Sequence, residues 1–102
     1  MSRPSLPPLV SPDRLTVDTV AAFRAAMLEL LAAAARDQVP VLDVDLGATT
    51  AIDAAGLGLL VLLEKRAAAI GARVRLLRPS PTALAVLQRS RIHLRFDISP
   101  AA

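Results

Sequence analysis

Residues 41–63 have the sequence VLDVDLGATTAIDAAGLGLLVLL, and the neighbouring elements are arranged about this stretch. A short run rich in valine and leucine precedes seven small or polar residues and a long apolar run of helix-forming residues. This order predicts a buried strand, a turn and a helix. The helix begins near residues 53–56, where main-chain N–H groups have no partner within the helix and the dipole is positive. Such a position favours an anion or an acceptor group of a partner.

The composition of the 102 residues indicates one domain with one hydrophobic core. Hydrophobic residues make up 54% of the chain. No apolar run approaches the ~20 residues that a membrane-spanning helix needs, so we expect no membrane insertion. The chain has no cysteine, which excludes disulfides and thiolate chemistry. No amino-terminal segment resembles a secretion signal, and a cytoplasmic location is therefore predicted.

Charge is distributed unevenly along the chain. Residues 1–64 hold four arginines against eight acidic residues, a balance of −4, whereas residues 65–102 hold eight basic residues against one acid, a balance of +7. A basic patch of this kind is one mark of a nucleic-acid-binding protein. The alternative is that these charges lie on solvent-exposed faces and that the chain folds the two halves together. No helix is basic along one face, so no nucleic-acid partner is expected.

Four of the first twelve residues are proline, so residues 1–12 are predicted to be an arm, or at most an edge strand at 9–10. The folded domain is predicted to occupy residues 13–102. Its first helix is expected to start at Thr16 as N-cap, with Asp18 in the first turn. Pro40 prevents continuation of this helix. Its apolar positions recur at helical spacing: Val20, Phe23, Met27, Leu30, Leu31 and Ala34.

The strand predicted at residues 41–46 alternates Asp43 and Asp45 with apolar residues, which indicates a sheet with one covered and one partly open face. The second helix is expected to stop at Gly71, a candidate for the left-handed conformation.

Three further elements are predicted after this glycine. They are a strand at residues 73–77, a helix with Ser80 as N-cap and Pro81 as its first residue, and a last strand at residues 94–98. The alternation predicts an α/β fold with a mainly parallel sheet of about four strands and right-handed crossovers.

The first two turns of the second helix are apolar on every side. One face of such a helix packs on the sheet. The remaining side chains, Leu59, Leu62 and Leu63, need either neighbouring helices or another molecule to cover them. The sequence leaves both alternatives open.

Five short segments occur together in an order and spacing typical of one family. They are Val44-Asp45-Leu46, Asp53-Ala54-Ala55-Gly56-Leu57-Gly58, Arg66-Ala67 before Gly71, Arg75-Leu76-Leu77 and Pro79-Ser80-Pro81. Over about residues 13–98 this pattern resembles the STAS domain, shared by bacterial anti-sigma factor antagonists and the cytoplasmic tails of sulphate transporters. More loosely, residues 13–19 resemble the Gly-x-Leu-Asp segment before that family's first helix. The resemblance implies a STAS-type mixed, mainly parallel sheet with helices packed mostly on one face.

The resemblance also implies a position for a regulatory site. In anti-sigma factor antagonists the motif is Asp-Ser-Ser-Gly, or Asp-Ser/Thr-x-Gly, and the second hydroxyl residue is phosphorylated by an anti-sigma factor that is also a kinase. That acceptor corresponds to Ala55, and its neighbour to Ala54. Alanine has no hydroxyl, so phosphorylation at this position is excluded. Thr49 and Thr50 lie earlier in the turn, outside the motif.

Two functions follow from the resemblance. The first is a non-catalytic regulatory module that binds an anti-sigma factor of the serine-kinase type and stays in the binding state. The second is a subunit that binds the ATPase of a bacterial phospholipid-transport ABC complex through the same loop and helix. A homodimer is a further alternative. The predicted partner contacts are Asp53, Ala54, Ala55, Gly56, Leu57, Leu59, Leu60 and Leu63.

An enzyme is the least favoured class, and no cofactor or metal is predicted. Asp53 has no histidine, lysine or second carboxylate in its motif, so it is interpreted as a capping residue rather than a general base. His93, between two apolar residues, is interpreted as a surface or packed imidazole. The segment Gly56-Leu57-Gly58 lacks the later glycine and the Lys-Ser/Thr of nucleotide-binding loops.

Overall fold

The computed structural model describes residues 4–100, in which short strands and helices alternate along the chain. The elements are β1 (Leu9–Val10), β2 (Arg14–Leu15), α1 (Val20–Asp37), β3 (Val41–Asp45), β4 (Ala51–Ile52), α2 (Ala54–Ala69), β5 (Arg73–Leu77), α3 (Pro81–Arg89), a 3₁₀ helix (Ile92–Arg95) and β6 (Asp97–Ser99). Within these described residues, no helix is both long enough and apolar enough to cross a bilayer.

The main sheet has four parallel strands in the order β1-β3-β5-β6. This confirms the predicted parallel sheet, and β1 is an edge strand as the sequence indicated. A second, smaller sheet pairs β2 with β4, also in parallel. The sequence did not predict this pair, because two-residue strands are too short to show an alternating pattern.

The two faces of the main sheet differ as predicted. Leu42, Val44, Val74 and Leu76 point to one face and are buried in the hydrophobic core with the helices. Alternate positions of β3 and β5 point to the other face and carry aspartates and arginines that are exposed or half-buried. The sheet therefore has one covered and one open face. Successive side chains of a strand point to opposite faces, which separates the apolar residues from the charged ones.

The acidic first half of the chain pairs with the basic second half across this fold. The Arg75 Nε atom lies 2.8 Å from Asp43 Oδ1. This hydrogen bond raises the pKa of Arg75. Arg95 Nη1 lies 2.9 Å from Glu64 Oε1, and Arg78 pairs with Asp45. These pairs place acidic groups of the first half against basic groups of the second, although each partly exposed pair contributes little to stability.

Helix α1 starts later than predicted. The structure places Thr19 at the N-cap and begins the helix at Val20, so Thr16 and Asp18 lie in the preceding turn. The Thr19 hydroxyl donates to the Arg14 carbonyl at 2.6 Å and accepts the Thr16 N–H at 3.0 Å. Because the hydroxyl is bonded to the preceding turn, residues 16–19 form a turn rather than the first turn of the helix.

Other helix ends agree with the sequence, whereas the last strand does not. Gly71 has φ +78° after α2, and Ser80 Oγ accepts the Ala83 N–H at 3.1 Å to cap α3. The strand predicted at residues 94–98 is wrong in its bounds, since Ile92–Arg95 forms a 3₁₀ helix and the strand spans Asp97–Ser99. The ion pair of Arg95 with Glu64 ties that 3₁₀ helix to α2.

Candidate functional site

The Asp53 carboxylate joins two separate segments at the start of α2. Its Oδ1 atom accepts the Gly56 N–H at 2.9 Å, which caps the helix, and its Oδ2 atom accepts the Val17 N–H at 2.9 Å. These backbone donors, first Gly56 and then Val17, hold the pKa of the Asp53 carboxyl below its ordinary value. The interpretation of Asp53 as a capping residue is confirmed. An ionised carboxylate already occupies the positive end of the helix, so a second anion is disfavoured there.

Gly56 allows the backbone of β2 to lie directly against the first turn of α2. A Cβ atom at this position would lie 2.2 Å from the Leu15 carbonyl oxygen and 3.0 Å from Leu15 Cγ. Leu15 is fully buried and pairs with Ile52 of β4. The start of α2 is therefore fixed to the β2 segment twice, by the hydrogen bond from Val17 to Asp53 and by this close approach of Leu15.

Small apolar side chains surround this anchored helix start on its outer side. Ala54, Ala55 and Gly58 are exposed, and a Cβ atom built on Gly58 would have no other atom within 4 Å. Val17, held beside them by Asp53, is 68% exposed. We refer to Val17, Ala54, Ala55 and Gly58 as the helix-start surface. Val17 was not predicted from the sequence, where its only signal is an apolar residue between polar neighbours.

Four of the predicted partner contacts are buried in this fold. Leu59, Leu60 and Leu63 are 7%, 0% and 0% exposed and belong to the hydrophobic core, and Gly56 is buried as well. Neighbouring elements of the same chain, rather than another molecule, cover these leucines. Leu57 is half-buried. Of the predicted contacts, Ala54 and Ala55 are exposed and Asp53 is half-buried, so these residues remain accessible to a partner.

The two threonines of the preceding turn are hydrogen-bonded to the chain near β2. Thr49 is 0% exposed, and its hydroxyl donates to the Pro12 carbonyl at 2.7 Å. Thr50 is exposed and its hydroxyl donates to the Asp13 carbonyl at 3.1 Å. The carbonyl of Thr49 also accepts the Ser80 hydroxyl at 2.5 Å. Thr49 is thus a structural residue that connects three segments.

Acidification is expected to weaken the contribution of Asp53 to stability. Because the folded-state pKa of Asp53 is lowered, its stabilising effect is present above the unfolded pKa of about 3.9 and is lost as the pH falls through the folded-state pKa. Asp53→Asn should therefore lower the urea midpoint of unfolding at neutral pH. The difference in urea midpoint between the variant and the unmutated protein should shrink steadily from about pH 5 downward.

Asp13→Asn is the matched control for this measurement, since the Asp13 side chain is exposed and makes no hydrogen bond or ion pair within residues 4–100. A difference between Asp53→Asn and the unmutated protein that stays constant down to pH 3 would contradict the proposed linkage.

Comparison with known proteins identifies the family. The family model described as "Mlab, STAS domain" matches residues 13–94, about four-fifths of the chain, and the chain belongs to this STAS family. A search of curated protein sequences gave no significant match. The family match confirms the resemblance on which the predicted fold was based.

Two solved structures are similar over most of the chain. A Thermotoga maritima protein, provisionally assigned as an anti-sigma factor antagonist, has a TM-score of 0.76 at 19% identity, covering 90% of this chain and 78% of that one. The anti-sigma factor antagonist SpoIIAA in its unphosphorylated form has a TM-score of 0.66 at 22% identity, covering 91% and 77%. At these identities the likeness establishes the shared fold.

Proposed function

We propose that this STAS domain is a non-catalytic regulatory module that binds a partner protein through the helix-start surface and is not switched by phosphorylation there. The observation that carries the proposal is the exposure of Ala55 at the position of the family's phosphoacceptor. The position is accessible to a partner and has no hydroxyl. A kinase therefore has no hydroxyl group to phosphorylate at this position, and phosphorylation there cannot release the partner.

The shape and rigidity of the helix-start surface support protein binding. The alanine methyl groups and the bare backbone of Gly58 let a partner's backbone approach closely, and Val17 adds an exposed apolar side chain. The Asp53 hydrogen bonds and the Gly56 contact hold this surface in one arrangement before a partner arrives. Little conformational freedom is then lost on binding, which favours affinity.

The favoured partner is an anti-sigma factor of the serine-kinase type. In such a pair, a phosphate on the antagonist would bring a charge of about −1.5 to −2 next to the ionised Asp53 carboxylate. Burying that charge in the interface would carry a desolvation cost and weaken partner binding, which is the physical basis of a phosphorylation switch. The substitution of the acceptor by Ala55 removes that switch and leaves the binding surface.

A second candidate partner is the ATPase of a phospholipid-transport ABC complex. The family model that matches residues 13–94 is described as "Mlab, STAS domain". That description does not mention anti-sigma factor antagonists, so we retain the ATPase as a candidate partner. The same helix-start surface would form the contact. Binding of purified candidate partners therefore separates the two functions.

Ala55→Arg is expected to weaken partner binding by about tenfold or more, because a long cation replaces a methyl group at the centre of the surface. Isothermal titration against a purified anti-sigma kinase and against a purified ABC ATPase measures the effect. Ala85→Arg, an exposed alanine of α3, is the matched control and should bind as the unmutated domain does. Equal binding by both variants to the partner that the domain recognises would contradict the proposal.

Ala55→Ser tests the missing switch directly. With an anti-sigma kinase and ATP, the serine variant should gain one phosphate and then lose affinity, whereas the unmutated domain should bind equally with and without ATP. Mass spectrometry and titration record the two results. Binding to the ABC ATPase alone would instead support the second candidate.

A further inference from the structure

A groove lies between α1 and the carboxyl-terminal half of α2. Its volume is about 440 Å³, and it is open to solvent. Mostly apolar side chains from the two helices line it, together with two basic residues: Leu28, Leu31, Ala32, Lys65, Arg66, Ala69 and Ile70. None of these residues belongs to the helix-start surface.

The apolar part of this α1/α2 groove includes two exposed hydrophobic side chains. Leu28 is 39% exposed and Ile70 is 40% exposed, while Leu31 is 8% exposed and belongs to the core. Single exposed hydrophobic residues are common on protein surfaces. Here two of them line the same groove and continue into the core through Leu31, so the groove offers a connected apolar surface.

The charged part of the groove is basic and unneutralised. Lys65 and Arg66 are exposed, and neither takes part in an ion pair within residues 4–100. By contrast, the arginines of β5 and the arginine of the 3₁₀ helix are each paired with a carboxylate. Two free cations beside an apolar groove are complementary to acidic groups that flank an apolar face.

We propose that the α1/α2 groove binds an acidic amphipathic helix of a partner protein. Apolar side chains of that helix would lie between Leu28 and Ile70, and its carboxylates would face Lys65 and Arg66. A helix suits this site because two neighbouring helices form the walls, and a third helix packs into such a groove through residues spaced i, i+3, i+4 and i+7.

This inference is independent of the proposed function. Ala55 and Ala69 are separated along α2 by about 21 Å at the rise of an α-helix. The helix-start surface and the α1/α2 groove therefore lie at opposite ends of one helix. Variants at one end test that surface without altering the other.

The test uses short fluorescein-labelled helical peptides with leucine at i, i+3, i+4 and i+7 and glutamate at the flanking positions. A matched peptide carries lysine in place of each glutamate. Fluorescence anisotropy should detect binding of the acidic peptide and binding weaker by about tenfold or more for the basic one. Amide NMR shifts should be largest for residues near Leu28 and Ile70.

Charge and apolar variants locate the site. The double variant K65E/R66E should weaken binding of the acidic peptide by about tenfold, and Ile70→Ser should weaken both peptides. Arg89→Glu and Leu94→Ser, exposed positions outside the groove, are the matched controls and should change neither result.

Four outcomes would overturn the proposal. The first is equal or undetectable binding of the two peptides, and the second is a set of NMR shifts that maps away from the groove. The third is sedimentation that shows a dimer of this chain lost on Ile70→Ser, since the groove would then be covered by a second copy. Loss of binding by Ala55→Arg alone would also place the peptide at the helix start rather than in the groove.

Discussion

Gly56→Ala is expected to destabilise the fold by about 3 kcal/mol or more, among the larger effects of a single added methyl group. The new Cβ atom would lie 2.2 Å from the Leu15 carbonyl oxygen, a contact with backbone that no side-chain rotation relieves. Relief requires α2 to move away from β2. That movement would also break the hydrogen bond between Asp53 and Val17, which depends on the same approach.

Gly58→Ala is the matched control for this prediction, two residues further along the same helix. A Cβ atom there would meet no atom within 4 Å, so alanine should stabilise the domain by about 0.5–1 kcal/mol through its higher helix propensity. Urea unfolding followed by circular dichroism measures both changes. Equal and small effects of the two substitutions would show that β2 does not lie against the helix start in solution.

Leu60→Ala is expected to cost about 2–5 kcal/mol, because Leu60 is 0% exposed and its truncation leaves a cavity in the core. Leu94→Ala is the control of the same chemistry. Leu94 is 71% exposed, and its truncation should change stability by no more than about 0.5 kcal/mol. The difference between the two substitutions measures the effect of burial on the cost of truncating a leucine.

The Leu60 experiment also distinguishes the two roles that the sequence left open for the apolar helix. If Leu60 were a partner contact, its truncation would leave the urea midpoint unchanged and weaken binding. The structure instead leads us to expect a lower midpoint. At a temperature where the variant remains folded, partner affinity should stay close to that of the unmutated domain.

Much of the fold was predictable because it depends on local chemistry. Alternating aspartates marked β3 as a strand with one open face, Ser80 and Pro81 marked the start of α3, and Gly71 marked the end of α2. The start of α1 was misplaced because Thr16 and Thr19 both suit an N-cap, and the choice depends on a hydrogen bond to Arg14. That bond forms only in the folded turn.

The candidate site was predictable only in part, for a related reason. A helix that is apolar on every side has no periodicity to show which leucines face the core, so Leu59, Leu60 and Leu63 were assigned to a partner and proved buried. Val17 and Asp53 are far apart in the sequence and meet only because Gly56 lets β2 approach α2. No local pattern encodes such a long-range contact.

The sequence by itself determined the chemistry available at the start of α2. Alanine at position 55 has no hydroxyl in any conformation, and Asp53 is a good cap wherever a helix begins after it. Only the tertiary structure decided what remains accessible, because burial depends on which elements pack together. Packing buried Leu59, Leu60 and Leu63 and left exposed the small residues Ala54, Ala55 and Gly58.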